Sequence, residues 1–384
     1  MKKALIFSNS TTLTLALLLI AGLLTSTAGA EIIEVPGITV ETYYPNPHEG
    51  GEIINSFDFG RTGTLYYTTG VKGPEGCETG LTVYRYADDS YERIYHKENA
   101  YGFSGGRIRS YGKGSGGGSG EGSGQSSGQA TGERILFNDG GTESRMGFNY
   151  YAYDPEGEEQ IRTIIRSERP GAGQYWGLST RDGTDLWAAG APVLDFGENH
   201  SHIYYGSLDF DDTDTGSGSI DDRMIDLGLV GGGSGPLAFD SAGNLYYAQG
   251  YNWPFESDAY IYRFSAAEVA DAMEDPENNP LEITDAHLFE TIIFDGWIQG
   301  FLGASSMFFN NKAGLVLTAT TAHGPSELRR YAINPDGTSG DYTVLAASTG
   351  RMSETRCHKG KIYFNDPDGI YLIDMASPGM TMTE

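Results

Sequence analysis

Aromatic side chains that could bind a ligand are concentrated in a few loop-like segments of the chain. Three of the four tryptophans lie there beside tyrosines and one amide, and the set comprises Tyr175, Trp176, Tyr251, Trp253, Trp297 and Gln299. Flat aromatic faces next to amides suit sugar rings or peptide side chains. The alternative is that these rings fill gaps between structural elements, as we expect for Trp187, which lies within a predicted strand.

A histidine pair is the first candidate for metal binding. His200 and His202 are two residues apart at the start of a predicted strand, so both side chains would face the same side. Two histidines supply half of a metal site, and no spacing fixes a third ligand among Glu198, His323 and His358. We therefore expect hydrogen-bonding histidines and assign no metal ligand.

An acidic segment from Asp209 to Gly216 has the composition of a calcium loop but not its spacing. With Gly216 as the sixth position of such a loop, Thr213 and Thr215 occupy positions that need oxygen-rich ligands. A solvated hairpin is the expected structure. We predict no cofactor, and a weak divalent cation site for calcium remains the open alternative.

Signatures of common enzymes are missing from the sequence. It contains no phosphate-binding loop and no Cys-x-x-Cys-His haem motif. A histidine–carboxylate–serine combination stays open, because residues far apart in the chain can form one. No catalytic residue is assigned.

The elements that would position these side chains are indicated by a repeated phrase. Phe59-x-x-x-Gly63-x-Leu65-Tyr66-Tyr67-x-x-Gly70 recurs 180 residues later, from Phe239 to Gly250. Looser copies lie between and after the two. Such repetition is typical of a structural unit that buries its apolar surface only by stacking on its neighbours.

Each unit is predicted to contain four short strands rich in Tyr, Thr and Val. Six second strands can be located, but the sixth unit lacks a fourth strand, while a strand-like segment, Gly37–Tyr44, precedes the first unit. We predict an all-β, six-bladed β-propeller of four-stranded antiparallel blades in which this N-terminal strand completes the last blade and removes an exposed edge. Seven blades remain the alternative.

Two insertions interrupt the strand pattern. Residues 112–132 are almost entirely Gly, Ser and Gln, which predicts a flexible loop. Residues 265–286 begin with Ser265-Ala-Ala-Glu268, a capping box that predicts a short helix. Both insertions should emerge on one face of the propeller, whereas the aromatic loops should share the other.

The segment from Gly235 to Tyr246 resembles the core phrase of NHL-repeat propellers and of the senescence-marker and gluconolactonase group. That resemblance implies a six-bladed propeller and, as an alternative function, a metal-assisted hydrolase or lyase. The group holds its divalent metal in the channel with Glu, Asp and Asn ligands. Here only Glu354 and Asp58 offer carboxylates near the channel-lining strands, and neither has matching surroundings, so no residue is carried over.

Residues 1–30 are predicted to be a cleaved signal peptide. Lys2 and Lys3 precede an apolar stretch, and Ala28-Gly29-Ala30 is a small-residue cleavage sequence. We expect export to the periplasm or the exterior, no membrane insertion, one propeller domain over residues 31–376, and a tail over residues 377–384.

The charge and the cysteines complete the prediction. A net charge of −27 makes nucleic acid a poor partner.

Cys77 and Cys357 lie in the first and last units, so we predict a disulfide that fastens the ring. The sequence therefore predicts an exported module that recognises a protein, peptide or glycan through its aromatic loops, with the hydrolase or lyase as the alternative. It does not fix the oligomeric state.

Overall fold

The computed structural model describes residues 30–376, except for residues 49–50, 61, 73–77, 103–105, 112–133, 140–148, 158–159, 166–171, 182–184, 194–200, 208–223, 252–257, 295–301 and 322–323. The described chain consists mainly of short antiparallel strands. They form six sheets that stand side by side in a closed ring.

The first three blades follow one another along the chain. Blade one contains β3 (Glu52–Phe59), β4 (Leu65–Lys72), β5 (Glu78–Ala87) and β6 (Ser90–Gly102). Blade two contains β7 (Ile108–Tyr111), β8 (Arg134–Asn138), β9 (Tyr150–Tyr153) and β10 (Ile161–Ile165). Blade three contains β11 (Ala172–Ser179), β12 (Asp185–Val193), β13 (His202–Ser207) and β14 (Ile225–Leu229).

The last three blades include two strands from the N-terminal segment. Blade four contains β15 (Leu237–Phe239), β16 (Leu245–Ala248), β17 (Asp258–Phe264) and β18 (Leu288–Ile293). Blade five contains β19 (Gly303–Asn310), β20 (Gly314–Thr320), β21 (Ser326–Ile333) and β22 (Ser339–Ser348), with β1 (Ile32–Glu34) as a fifth strand. Blade six contains β23 (Thr355–His358), β24 (Lys361–Asp366), β25 (Gly369–Asp374) and β2 (Glu41–Pro45).

The repeated phrase has a simple structural explanation. In β4, successive side chains point to opposite faces of the blade, so Tyr66 packs between blades one and two while Tyr67 packs between blades six and one. In β16, Tyr246 and Tyr247 are divided between two interfaces in the same way. All four rings are fully buried. The Leu-Tyr-Tyr sequence thus supplies one ring to each neighbouring core.

The apolar core is divided among the contacts between neighbouring blades. Six clusters of buried side chains occupy the six interfaces, including the one where blade six meets blade one. That last cluster joins Tyr363 and Ile370 of blade six to Phe57 and Tyr67 of blade one. The ring is therefore closed by the same kind of packing that holds its other blades together.

The N-terminal segment closes the ring as predicted. Strand β2 pairs antiparallel with β25, so that Glu41 lies opposite Leu372 and Pro45 opposite Gly369. The strand starts later than predicted, and Ile38 of the preceding segment is instead buried between blades five and six. Strand β1 was not predicted; it pairs with β22 and covers the outer edge of blade five.

The insertion in blade four begins as its capping box predicts. Helix α1 (Ala266–Glu274) follows Ser265, whose hydroxyl accepts the backbone N–H of Glu268, while the Glu268 carboxylate accepts the backbone N–H of Ser265. The helix lies beside the turn between β15 and β16, where Asn244 accepts the N–H of Ala266. In blade four, the connection between the first and second strands and the connection between the third and fourth strands therefore emerge on one face, as predicted for these two types of connection. Within the described residues, no helix is long and apolar enough to span a bilayer.

The Gly/Ser-rich segment 112–132 lies outside the described residues. Its flanks are β7 and β8, so it joins the first and second strands of blade two, as the strand count predicts.

Candidate functional site

Charged residues line the channel at the start of the inner strands. In blade one the ladder between β3 and β4 slips between Ile54 and Ser56, which leaves Asn55 in a bulge. Blade five has the same slip, which leaves Ser305 in a bulge. In blades two and six, the inner strands begin after Arg107 and Glu354, and these two residues take the equivalent place.

A side-chain amide holds the backbone at two of these positions. Asn138, at the end of β8, accepts the N–H of Arg107 at 3.0 Å, and Asn365, in β24, accepts the N–H of Glu354 at 2.7 Å. Asn365 also donates to the carbonyl of Ile54 at 2.6 Å, which links blade six to blade one. The inner strands of different blades are thereby brought to the same level.

Glu354 is the centre of a group that we call the channel cluster, formed by Asp58, Arg107, Arg109, Glu354 and Arg356. The Glu354 side chain is fully buried. Its Oε2 atom accepts from Ser56 Oγ at 2.6 Å and from Arg109 Nη1 at 2.9 Å. Its Oε1 atom accepts from the Ser306 hydroxyl and lies 3.0 Å from Arg356 Nη2. Groups from four blades thus meet at one carboxylate.

Arg107 crosses the channel from blade two. Its Nη1 donates to the carbonyl of Ser353 and its Nη2 to the carbonyl of Ser305, each at 2.8 Å. Nη1 also lies 3.4 Å from Glu354 Oε2. Burial, followed by the nearby charges of Arg109 and Arg351, lowers the pKa of Arg107 to about 10 despite the attraction of Glu354. The guanidinium remains charged at neutral pH.

The two buried carboxylates of the channel cluster have opposite pKa shifts. Burial raises the pKa of Glu354, but the charges of Arg109 and Arg107 outweigh burial and hold it below the ordinary value. Burial raises the pKa of Asp58 to about 7, because its hydrogen bonds from the backbone N–H groups of Phe59 and Ser110 compensate only in part. Asp58 therefore titrates near neutral pH, whereas Glu354 stays ionised.

The channel cluster does not suit a divalent cation of the gluconolactonase type. Both oxygens of Glu354 are engaged by hydroxyls and guanidinium groups, and Asp58 lies 3.9 Å from the guanidinium of Arg356. Three arginines around the candidate ligands would repel a metal ion. The described residues also contain no group of three His, Cys, Asp or Glu side chains placed to bind one. Among the described residues, the channel cluster therefore does not provide the metal site that the alternative function requires.

The arginines of the channel cluster were missed in the sequence. Their signal is the pair of two-residue spacings Arg107-x-Arg109 and Glu354-x-Arg356 at the start of predicted inner strands. Residues two apart share a strand face, so each pair could have been placed toward the channel.

The predicted aromatic site is described only at Tyr251. Its carbonyl accepts the N–H of Gly233 at 2.7 Å, and Gly250 donates to the carbonyl of Gly233 at 3.0 Å. These bonds join a loop within blade four to the loop that enters it, so two of the predicted loop types do share a face. A Cβ on Gly233 would lie 2.1 Å from the Tyr251 ring, so only glycine permits this contact.

The other predicted binding residues stay predictions. Trp253, Trp297 and Gln299 lie outside the described residues. Tyr175 and Trp176 lie in β11, at and beside its bulge, but their side chains are not described. Trp187 is fully buried, packs against Phe239 of the next blade and donates to Asp185, so it fills an interblade gap as expected.

Of the candidate metal residues, only His202 and His358 lie in the described part of the chain. His202 Nδ1 lies 3.0 Å from Asp226 Oδ1, so this histidine forms a local hydrogen bond. His358 stacks on Phe59, with ring centroids 4.5 Å apart. His200, Glu198, His323 and the acidic segment 209–216 lie outside the described residues.

The predicted disulfide is not found among the described residues, and Cys77 is outside them. Cys357 Sγ lies 3.4 Å from Asn310 Nδ2. Its neighbour His358 stacks on Phe59. Because Cys77 is not described, the disulfide stays a prediction.

A cavity of about 220 Å³ lies beside α1, on the face opposite Tyr251. Phe264, Leu281 and four acidic or imidazole side chains line it, among them Glu268 and His287. Glu268 Oε1 lies 2.9 Å from His287 Nε2, so this pair is already engaged. The insertion that lines this cavity is held against blade three, because the backbone N–H of Leu281 donates to the carbonyl of Leu227.

Comparison with solved structures confirms the fold. The PQQ domain of pyranose dehydrogenase from Coprinopsis cinerea matches with 10% identity over 90% of this chain and 98% of that one, with a TM-score of 0.50. An α-L-arabinofuranosidase from Fusarium graminearum matches with 10% identity over 89% and 97%, also at 0.50. A structure described as a gluconolactonase matches with 10% identity over 89% and 93%, at 0.45.

The two similarities at a TM-score of 0.50 agree with the β-propeller fold. The matched proteins have different activities by name, so the fold does not select one. No protein-family profile and no curated protein sequence matches the chain.

Proposed function

We propose that this protein is an exported binding module that recognises a protein, peptide or glycan through the face bearing Tyr251. The observation that carries the proposal is the engagement of Glu354 by hydroxyls and arginines. That carboxylate is the best-placed candidate ligand or catalytic group in the channel, and it is instead used to join blades. Binding at the loops then remains the function that the geometry supports best.

The loop face has the construction expected of a binding surface. The carbonyl of Tyr251 and the N–H of its neighbour Gly250 are both hydrogen-bonded to Gly233, and the Tyr251 ring packs directly against this glycine. A ring fixed before the ligand arrives loses little conformational entropy on binding. The loops that carry Trp253 and Trp297 continue from described strands of this face, which supports a shared aromatic surface.

The test uses wild-type protein and the variants Trp253→Ala and Trp297→Ala on an array of neutral oligosaccharides and on a phage-displayed peptide library. We expect wild-type binding, and at least a tenfold loss in each variant with an unchanged melting temperature, as for an aromatic hot spot. Tyr91→Ala is the control, because Tyr91 is half exposed and lies at the turn between β5 and β6 on the opposite face.

Two results would contradict the proposal. Large destabilisation in both tryptophan variants would make these rings structural. Lactone hydrolysis that disappears on addition of EDTA and returns with a divalent metal would favour the hydrolase or lyase instead.

A further inference from the structure

The channel cluster carries more positive than negative charge. Three guanidinium groups face two carboxylates, and all five side chains are at most 9% exposed. The excess is one positive charge when Asp58 is ionised and two when it is protonated. In a chain of net charge −27, such an excess in the interior is not a consequence of composition.

Several buried donors of this region have no acceptor. Arg107 Nε, Arg356 Nε and Asn55 Nδ2 are buried and form no hydrogen bond within the part of the chain that the structure describes. Asn55 is 1% exposed and Arg107 is 4% exposed. A buried N–H group without an acceptor costs about 1–3 kcal/mol, so native proteins rarely leave several together. All three groups are donors, and none is an acceptor.

Asn55 and Arg107 stand at the same level of the channel. The residues that follow them, Ser56 and Ile108, are joined by a hydrogen bond of 3.2 Å from Ile108 N to Ser56 Oγ. The backbone of Asn55 is bulged, and the side chain of Arg107 crosses the channel. Their free donors therefore belong to adjacent blades of the ring.

We propose that the channel binds a small monovalent anion beside Arg107 and Asn55. An anion accepts several N–H donors at once and neutralises the excess charge, whereas a water molecule would satisfy donors without changing the charge. A halide and the carboxylate of a small organic acid share this chemistry. The inference does not depend on the proposed function, because it concerns the channel interior and not the aromatic loops.

The first experiment measures thermal unfolding of the purified chain at fixed sodium concentration while gluconate is replaced by bromide, chloride or formate. Fixed sodium keeps screening of the acidic surface constant. We expect the melting temperature to rise by about 2 °C or more and to saturate, as for a ligand that binds only the folded state. A response to halides alone identifies a halide site, and a larger response to formate identifies a carboxylate site.

Variants locate the site. Asn55→Asp replaces a donor with a negative charge at nearly the same volume and should abolish the response. Asn310→Asp is the matched control, because Asn310 is a buried amide in the turn between β19 and β20, where its oxygen accepts backbone N–H groups. Asp58→Asn should tighten bromide binding at pH 8 by roughly fivefold or more, because it removes a negative charge.

A crystal structure of the wild-type protein grown in bromide tests the proposal even if a variant fails to fold. Anomalous density beside Arg107 would support it. Equal melting temperatures in all sodium salts, or bromide only at surface positions, would overturn it.

Discussion

Arg109 Nη1 lies 2.9 Å from Glu354 Oε2, although the two residues are 245 positions apart in the sequence. Arg109 also donates from Nε to the carbonyl of Leu178 in blade three. One side chain of blade two therefore connects blades three and six across the channel. The centre of the propeller is held by ionic contacts, while its periphery is held by apolar ones.

Replacing Glu354 with Gln should be strongly destabilising. The change leaves three buried guanidinium groups without their shared carboxylate, and breaking a buried ion pair on one side costs about 3–5 kcal/mol. Urea unfolding at pH 8 should show the loss as a lower midpoint. The matched control is Glu327→Gln, whose partner Arg329 keeps its contacts with the carbonyl of Ile293 and the ring of Phe294. Equal losses in both variants would contradict a special role for Glu354.

Asp58 should make the protein less stable as the pH rises from about 4 to about 7. Its pKa is about 7 in the folded state and near the ordinary aspartate value of 3.8 in the unfolded state, so the folded state binds the proton more tightly over this range. Asp58→Asn should remove that slope, because an amide does not titrate in this pH range. Urea midpoints measured across this pH range for both proteins check it; parallel curves would rule it out.

The two N-terminal strands should contribute unequally to stability. A chain that begins at residue 36 lacks only β1, the added fifth strand of blade five, and should melt a few degrees lower. A chain that begins at residue 46 also lacks β2 and the buried Tyr44, whose loss alone costs about 3–5 kcal/mol. It should unfold or aggregate through the exposed edge of β25. Thermal unfolding and size-exclusion chromatography distinguish the two, and equal behaviour would contradict ring closure by β2.

Titration of the unfolded chain without reductant should detect two thiols. Cys357 is not joined to another cysteine among the described residues, and its Sγ atom lies 3.4 Å from Asn310 Nδ2. Absence of reactive thiols, together with a peptide containing both cysteines after proteolysis, would instead establish the disulfide predicted from the sequence. Cys357→Ser serves as the one-thiol reference.

The fold was predictable because its signal is local and repeated. The Leu-Tyr-Tyr phrase fixes the second strand of a blade, and the glycines at 63 and 243 adopt φ values of 92° and 87° in the preceding turn. Strand β1 was missed because three residues, Ile32–Glu34, carry too little pattern to distinguish a strand from a linker.

The channel cluster was not predictable in the same way. Its contacts depend on the bulges that bring Asn55 and Ser305 level with Arg107 and Glu354. A shift of one residue reverses the face of every side chain in a strand, and the sequence does not reveal where such shifts occur. The sequence therefore indicated that the carboxylates of Glu354 and Asp58 lie near the channel, but it did not reveal the arginines that pair with them.

The paired tyrosines of β4 and β16 have a consequence for how the molecule unfolds. Blades one and four each place one ring in the interface with the preceding blade and one in the interface with the following blade. A blade that loses either neighbour therefore cannot bury its own apolar surface. Loss of one neighbouring blade exposes one ring of the pair, and the same strand carries the ring that packs at the opposite interface, so the two interfaces are coupled. The molecule should therefore melt in a single cooperative step, and shortened versions with fewer blades should not be stable.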